Sequence, residues 1–393
     1  MNGMRQTLAI TAINLQSIPQ RISTSLVICV GIAGVVAVLT TVLAMATGLK
    51  ATLANAARED RAMVLSSGSL GEALSSISRD NLAAIEAAPG IKRGTDGGPA
   101  VSPEVLLSVN LPRKGDGNVS ALLVRGLTPE FGGVRPEIQI TEGRMFATGV
   151  HEIVIGKSAH DQFAHLDVGD TASFHNGEWK VVGRLTSDGD VHESEALGDA
   201  TTLMSAAQRT LFSAVTVTLD SKDSFEPFKE ALKHDPTLKV DVQRETEYYE
   251  GQSKQVAALL EIVATTVGGI MAVGALFGAL NTMYSAVSTR TVEIATLRAI
   301  GFGALPVVVS VMVEAQVLAF IGAVAGGAIA RMLFNGNAFS TGGALGQVAV
   351  RLHVGLPLVV AGMTWAAVVG LFGGLFPAIR AARSSVVDSL RVV

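Results

Sequence analysis

The chain has 393 residues, of which 49% are hydrophobic and only 16% are charged, whereas a soluble domain carries about 25% charged residues. The net charge of -4 and the absence of a Lys/Arg-rich patch exclude the basic field that nucleic-acid binding requires. The single cysteine, Cys29, excludes an intrachain disulfide, so any soluble part must be held by its own core.

The first 24 residues are predicted to form an amphipathic helix on the inner membrane surface. Leu8, Ala12 and Leu15 recur at helical spacing with polar residues between them, a pattern typical of an interfacial helix. Pro19 marks the point where the chain is expected to turn into the membrane.

Four apolar runs are long enough to cross a bilayer, which needs about 20 apolar residues. Each is predicted to be helical, because backbone groups in lipid must be hydrogen-bonded within the segment. The predicted segments are residues 25–48, 254–289, 302–330 and 354–379. The first run is far longer than the apolar core of a signal peptide, about 7–15 residues, so it is expected to remain as an anchor.

The second run is predicted to belong to a helix that is longer than a membrane is thick. The helical pattern from Tyr249 to Thr289 covers about 40 residues and about 60 Å, twice the hydrocarbon thickness of about 30 Å. Its first part is therefore expected to project from the membrane as a stalk. On this depth estimate Glu261 is a solvated stalk residue and not an intramembrane acid.

Arginines cluster at one end of the predicted spans, at Arg5, Arg21, Arg290, Arg298, Arg380 and Arg383. Because Lys and Arg near the spans favour the cytoplasmic side, segments 1–24, 290–301 and 380–393 are predicted to be cytoplasmic. Both termini then lie inside, and segments 49–253 and 331–353 lie outside.

The segment 49–253 mixes short β-like runs with helical stretches. Strands are predicted at residues 119–125, 152–155, 178–182 and 214–219, and helices at residues 79–88 and 225–234. Asn176-Gly177 predicts a hairpin between residues 171–175 and 178–182. The predicted fold class is an α-helical membrane protein with four transmembrane helices and an α+β extracytoplasmic domain inserted between helices 1 and 2.

The candidate motifs for catalysis, nucleotide binding and metal binding lack the residue spacing that these functions require. Gly156-Lys157-Ser158 resembles the end of a phosphate-binding loop, but His151 stands where that motif needs glycine, so a turn at a strand end is expected. The histidines form no His-Glu-x-x-His pattern, and the acidic run 188–195 is more typical of a solvated loop than of a cation site. No catalytic or metal residue is predicted, and any ATP use is expected in a separate chain.

Three successive spans contain small-x-x-x-small patterns, which are Gly274/Gly278, Gly322/Gly326 and Gly370/Gly374. Such pairs let helices approach closely. They predict a tightly packed bundle or a dimer, although any one pair is also expected by composition in a chain with 42 glycines.

Glu314 is the one acid expected inside the membrane. Burying its charge at mid-depth costs about 3 kcal/mol on insertion scales, so the carboxyl group is expected to face protein or to be protonated. A structural hydrogen bond within the bundle is favoured over proton transport, because no relay of further polar groups is visible. The sequence does not identify its partner.

The loop from Thr289 to Gly301 resembles the signature of MacB/FtsX-type permeases, the transmembrane subunits of type VII ABC transporters. The residues that match the family pattern are Arg290, Glu293, Ile294, Leu297, Arg298, Ala299, Gly301 and, in the third span, Glu314. The tail from Phe376 to Arg391 is similar to the family's ending but lacks its usual proline. Segments 142–146 and 179–183 are similar to the MacB-like periplasmic core domain.

The resemblance implies a permease in a bacterial cytoplasmic (inner) membrane, without cofactors of its own, working as a homodimer or with a paralogous permease. Its partner would be a separate ABC ATPase that binds ATP and Mg, and an efflux system would add a periplasmic adaptor protein and an outer-membrane channel. Export or efflux is the favoured role. The alternatives are lipoprotein release, a signalling scaffold that controls a cell-wall hydrolase, and a receptor or anchor without an ATPase.

The segment 290–301 would then be a coupling helix that docks in a groove of the ATPase. Its predicted apolar anchors are Val292, Ile294, Leu297 and Ile300, and its predicted charged rim is Arg290, Glu293 and Arg298. The alternative is a plain surface connector whose charges are set by membrane topology.

Overall fold

The computed structural model describes residues 3–94, 97–115, 117–235, 237–335, 338–341 and 348–383. Its internal contacts divide the chain into two units. The helical unit consists of Met1–Thr47, Ala257–Asn337 and Leu352–Val393. The α+β unit consists of Gly48–Val256 and Ala338–Arg351.

The helices and strands within the described residues have the following bounds. The α-helices are α1 (Gly3–Gln16), α2 (Ile22–Ala56), α3 (Arg79–Glu86), α4 (Lys157–Gln162), α5 (Ala200–Ala206), α6 (Phe225–Lys233), α7 (Glu245–Ser288), α8 (Thr291–Ala299), α9 (Ala304–Phe334) and α10 (Leu356–Arg383). The strands are β1 (Arg61–Ser66), β2 (Val101–Pro112), β3 (Val119–Leu127), β4 (Gln139–Gly143), β5 (Glu152–Gly156), β6 (Thr171–Phe174), β7 (Gly177–Thr186), β8 (Glu195–Asp199), β9 (Ala214–Thr218), β10 (Val240–Arg244), β11 (Ala338–Thr341) and β12 (Val348–Arg351).

Helices α2, α7, α9 and α10 are each long and apolar enough to cross a membrane, which confirms the four predicted spans. α7 has 44 residues, or about 66 Å, and begins nine residues before the predicted segment 254–289. Glu261 is exposed on it. The predicted tail, 380–393, is helical as far as Arg383, and its residues 384–393 lie outside the described part of the chain.

The predicted outer loop, 331–353, is not simply a loop. α9 continues to Phe334, and β11 and β12 then pair antiparallel, with Ala338 opposite Arg351. The loop residues 336–337 and 342–347 lie outside the described residues.

In the helical unit α9 crosses α2 at two glycines. A methyl group added at Gly326 would lie 2.4 Å from the carbonyl oxygen of Ala33, and one added at Gly322 would lie 2.8 Å from that of Cys29. Lipid supplies no hydrophobic driving force between helices, so close backbone contact of this kind is a main source of their packing energy.

The other predicted glycine pairs differ from one another. Methyl groups at Gly370 and Gly374 would lie 2.7 Å from the β-carbons of two alanines of α9, so α10 also packs closely on α9. At Gly274 and Gly278 of α7 an added methyl group would meet no described atom within 4 Å. This pair therefore does not mediate helix packing within the described part of the chain.

The α+β unit is built on one mixed sheet, in the strand order β10-β1-β9-β2-β3-β8-β5-β7-β4, with β6 paired to β7. Four of its strands, β3, β5, β7 and β9, lie where strands were predicted, and α3 and α6 lie where helices were predicted. The predicted hairpin joins β6 and β7, but its two-residue turn is His175-Asn176, one position before the predicted Asn176-Gly177, because Gly177 already pairs with Phe174. His175 and Asn176 at its turn have φ angles of 46° and 57°, as the tight hairpin turns require.

The two faces of this sheet differ, because successive side chains of a strand point to opposite sides. In β2, Val105 and Leu107 belong to a large apolar core, whereas Glu104 points to the opposite face. In β3, Val124 likewise belongs to the apolar core, and Arg125 points to the opposite face. Helices α3 to α6 contribute side chains to the apolar core, and the opposite face carries buried charges.

The acidic run 188–195, predicted to be a solvated loop, is largely buried, so that prediction was wrong. His192 has no exposed surface and Glu193 is 3% exposed. Glu193 accepts hydrogen bonds from the backbone amides of Ser187 at 3.1 Å and Gly189 at 3.0 Å. The run can be buried because its charges find partners inside the unit.

Glu104 is the centre of the buried charges. Its Oε1 accepts a hydrogen bond from Arg135 Nε at 3.0 Å, and its Oε2 accepts one from Arg125 Nη1 at 2.6 Å. Burial raises the pKa of Glu104, but the two guanidinium charges outweigh this effect and hold its pKa at about 2.

We expect Gly326→Ala to destabilise the helical unit, because α2 and α9 must move apart to admit the methyl group. Overpacking of this kind costs about 1–3 kcal/mol, so the thermal unfolding midpoint of the full chain in detergent should fall. Gly269→Ala in α7 is the matched control, since its methyl group would meet no described atom within 4 Å. An equal fall for both variants would contradict the close contact.

We also expect the α+β unit to lose stability in acid. The pKa of Glu104 is lowered on folding, so its stabilising contribution is present above the ordinary pKa of 4.5 and is lost as the pH falls towards about 2. Unfolding is followed across this pH range by the fluorescence of Trp179. The Trp365→Phe substitution is present in every chain, so that Trp179 is the one tryptophan observed. Glu104→Gln should flatten the dependence on pH.

The contribution of Asp190 to stability changes with pH in the opposite direction, because burial raises its pKa. The wild type and the Glu104→Gln variant are therefore compared with each other at each pH. The same loss of stability with and without Glu104 would show that this carboxylate is not the group responsible.

Candidate functional site

The predicted coupling segment forms the short helix α8, which Gly301 terminates. The amide of Gly301 donates to the carbonyl of Arg298 at 3.2 Å, and the amide of Phe302 donates to that of Leu297 at 3.1 Å. Gly301 has a φ angle of 99°, in the left-handed region that favours glycine at this position. In this structure Gly301 ends the helix and turns the chain into α9.

One face of α8 is buried in the helical unit. Ile294 is 8% exposed and packs in one apolar cluster with Ile10 of α1 and Val307 of α9, and Leu297 is half-buried against the same cluster. These two residues were predicted to be outward anchors, and the structure places them inward, because α8 packs against its neighbours. Sequence spacing alone did not show which apolar face is covered.

The opposite face of α8 is open. Val292 is 44% exposed and Ile300 is 69% exposed. The Glu293 carboxylate lies beside them, with 66% of its side chain exposed, and Arg298 is half-buried. Of the four predicted apolar anchors, Val292 and Ile300 are therefore available to a partner, and the other two are covered.

Arg290, just before α8, connects three elements. Its Nη2 donates to Asn14 Oδ1 in α1 at 2.6 Å, and its Nε donates to Glu293 Oε2 at 3.0 Å. Its Nη1 lies 3.8 Å from Glu314 Oε2 in α9. Asn14 Nδ2 in turn donates to Ser310 Oγ of α9. The guanidinium group thus positions the start of α8 against both α1 and α9.

The structure identifies a partner for Glu314, which the sequence did not. Glu314 is 6% exposed and shares a small cavity with Arg21 and Arg290. Intramembrane carboxyl groups are commonly paired with other polar or charged side chains, and here the guanidinium groups of Arg290, 3.8 Å away, and Arg21 line the same cavity. The structural role of Glu314 in the bundle stays a prediction, now with a named partner.

Asn14 and Ser310 were not predicted as site residues. Asn14 is 6% exposed and Ser310 has no exposed surface. Asn14 lies in a helix that was expected to rest on the membrane surface. A single amide side chain in such a helix does not indicate a functional site. Among the described residues no group of three or more His, Cys, Asp or Glu side chains is placed to hold a metal ion.

We expect Arg290→Met to destabilise the full chain by about 1–3 kcal/mol, because it removes the guanidinium group 3.8 Å from the buried Glu314 and leaves only Arg21 in the same cavity. Glu314→Gln in the same chain should recover part of this loss. The four thermal unfolding midpoints of this double-mutant cycle, measured in detergent, give the interaction between the two side chains. Strictly additive effects would mean that the two side chains do not interact.

Two family models match the chain. The MacB-like periplasmic core domain matches residues 22–235, and the FtsX-like permease C-terminal domain matches residues 265–386. A relative from Methanocaldococcus jannaschii, an uncharacterized ABC transporter permease, is 25% identical over 267 residues, which cover 64% of this chain. The chain spans 65% of the length of that relative.

Two solved structures are also similar to parts of the chain. The extracellular domain of the noncanonic ABC-type transporter YknZ from Gram-positive bacteria is 16% identical, with a TM-score of 0.36, over 47% of this chain and 99% of that domain. The periplasmic region of MacB from Actinobacillus actinomycetemcomitans is 14% identical, with a TM-score of 0.36, over 49% of this chain and 92% of that region.

The two family models together cover most of the chain, and the second includes α8 and Glu314. The resemblance seen in the sequence is confirmed by these matches. This multi-pass membrane protein belongs to the MacB/FtsX-type family of ABC transporter permeases.

Proposed function

We propose that the chain is the permease subunit of an ATP-driven exporter and that α8 is the helix on which a separate ABC ATPase docks. In this proposal ATP and Mg bind to that ATPase, and ATP is hydrolysed there and not by this chain. The observation that carries the proposal is the division of α8 into a face fixed to α1 and α9 and a face that exposes Val292 and Ile300.

A helix held in this way is suited to docking. The contacts of Ile294 and Arg290 hold α8 in place before a partner arrives, so less conformational freedom is lost on binding. Exposed apolar side chains beside a charged carboxylate provide an anchor and a rim, which is the usual arrangement of binding energy at an interface.

α7 supplies a continuous path from this region to the α+β unit. It ends at Ser288, two residues before Arg290, and its other end begins at Glu245. The helix belongs to the helical unit from Ala257 and to the α+β unit as far as Val256. In the proposed cycle the ATPase displaces α8, and α7 carries this displacement to the α+β unit, which acts on the exported substrate.

In the proposed orientation α8 and both termini lie in the cytoplasm of a bacterial cell and the α+β unit lies outside the inner membrane. The arginines near the predicted spans support this orientation. The proposed complex contains two permeases. Gly274 and Gly278 of α7 support such a dimer, since no described atom lies within 4 Å of a methyl group added at either one and small residues allow two helices to approach closely. A periplasmic adaptor and an outer-membrane channel complete the proposed efflux path.

To test the docking face, Val292→Asp and Ile300→Asp are introduced into the full chain, expressed with its ATPase. Each should reduce the co-purified ATPase about tenfold or more, the effect of about 1.4 kcal/mol, because a carboxylate would replace an apolar anchor. Met332→Asp is the matched control, since Met332 is 85% exposed and lies near the opposite end of α9.

Leu297→Asp is not suitable for this test, because it would disrupt the core of the helical unit as well. Normal ATPase recovery with both Val292→Asp and Ile300→Asp would overturn the assignment of α8 as the docking helix.

A further inference from the structure

The buried charges of the α+β unit form a connected network that reaches α7. Its members are Arg61, Glu104, Arg125, Arg135, Glu195 and Glu245, and none is more than 3% exposed. They come from β1, β2, β3, β8, the segment after β3, and the first residue of α7. The network therefore joins the middle of the sheet to the helix that continues into the helical unit.

Glu245 is the member that belongs to α7. Its Oε1 accepts a hydrogen bond from Arg135 Nη1 at 3.2 Å. Its Oε2 accepts one from the backbone amide of Arg58 at 3.0 Å and one from Arg61 Nη1 at 3.4 Å. Arg58 follows the end of α2, at Ala56, by two residues, so one carboxylate connects the end of α2, the first strand and the start of α7.

From Glu245 the contacts continue across the sheet. Arg135 Nε donates to Glu104 Oε1 at 3.0 Å, and Glu104 Oε2 accepts from Arg125 Nη1 at 2.6 Å. Arg125 then donates from Nε and Nη2 to the two carboxylate oxygens of Glu195, at 2.7 Å and 2.8 Å. The path is unbroken from α7 to β8.

The pairing of Glu104 contributes stability, but stability alone does not explain why charged and not apolar side chains occupy these positions. Buried ion pairs are often replaced by apolar side chains of similar volume with no loss of stability, because removing charges from water is costly. Such contacts do impose direction, because three donors from different segments converge on the Glu245 carboxylate and hold its position. An apolar contact would allow α7 to slide or turn against the sheet at a small cost.

We infer that Glu245 is a positioning residue that fixes the start of α7 to the sheet, so that displacement of α7 moves β2, β3 and β8 with it. The inference rests on the proposed function, because it assumes that the ATPase moves α7. It adds the specific residue through which the movement enters the α+β unit.

The test measures amide hydrogen exchange of the full chain with its ATPase in lipid nanodiscs, with and without ATP and vanadate. In the wild-type complex we expect nucleotide to change exchange in α8 and also in β2, β3 and β8. Glu245→Gln removes the charge but keeps an acceptor oxygen. It should abolish the change in the three strands while the change in α8 remains.

Glu247→Gln is the matched control, because Glu247 lies in the same helical turn with 58% of its side chain exposed. It should respond as the wild type does. If Glu245→Gln fails to fold, as judged by Trp179 fluorescence, Glu245→Asp replaces it, since this variant keeps the charge but shortens the side chain. Glu245→Asp should then reduce the response of the strands.

Three outcomes would overturn the inference and leave the proposed function standing. In the first, the strands of Glu245→Gln or its replacement respond to nucleotide as in the wild type. In the second, their exchange rises throughout even without nucleotide, which marks a purely structural role. In the third, the wild-type strands do not respond although α8 does, and the proposed function then survives without the inference. No wild-type response in α8 would instead refute the proposed function, and the inference would fall with it.

Discussion

Helix α7 has buried charged contacts at or next to both of its ends. At its start, Glu245 accepts hydrogen bonds from Arg61 and Arg135 of the α+β unit. Just past its end, Arg290 contacts Asn14 and Glu314 of the helical unit. A continuous helix of 44 residues is stiff along its axis because each turn is hydrogen-bonded to the next. Each end of this helix is therefore held by charged contacts within its own unit.

The two units achieve their packing by different means. In the helical unit the close contacts involve residues with little or no side chain, as where Gly326 meets the backbone of Ala33. In the α+β unit the packing is driven by the hydrophobic effect, and residues such as Trp179 and Phe228 are buried completely in one core. The charged face of the sheet is the exception, and it is the face that holds the first residue of α7.

α8 shows how far sequence spacing could define the candidate site. Its bounds and its terminating glycine agree with the local pattern, since charged flanks and Gly301 mark a short helix. Apolar residues occur on more than one side of it, however, so the pattern did not distinguish buried Ile294 from exposed Ile300. That distinction depends on α1 and α9, which pack against only one side. The acidic run 188–195 was misread for a similar reason, because its hydrogen-bond partners were not visible in its own composition.

The sequence by itself determined the four spans, the inserted domain, the hairpin of β6 and β7 and the family, because hydropathy, turn chemistry and short motifs are local properties. Only the tertiary structure decided which charges meet. Arg290 and Asn14 are 276 positions apart, and Arg61 and Glu245 are 184 apart. Pairing over such distances depends on how helices and strands pack, and a carboxylate in the sequence does not reveal whether it will face water or a guanidinium group.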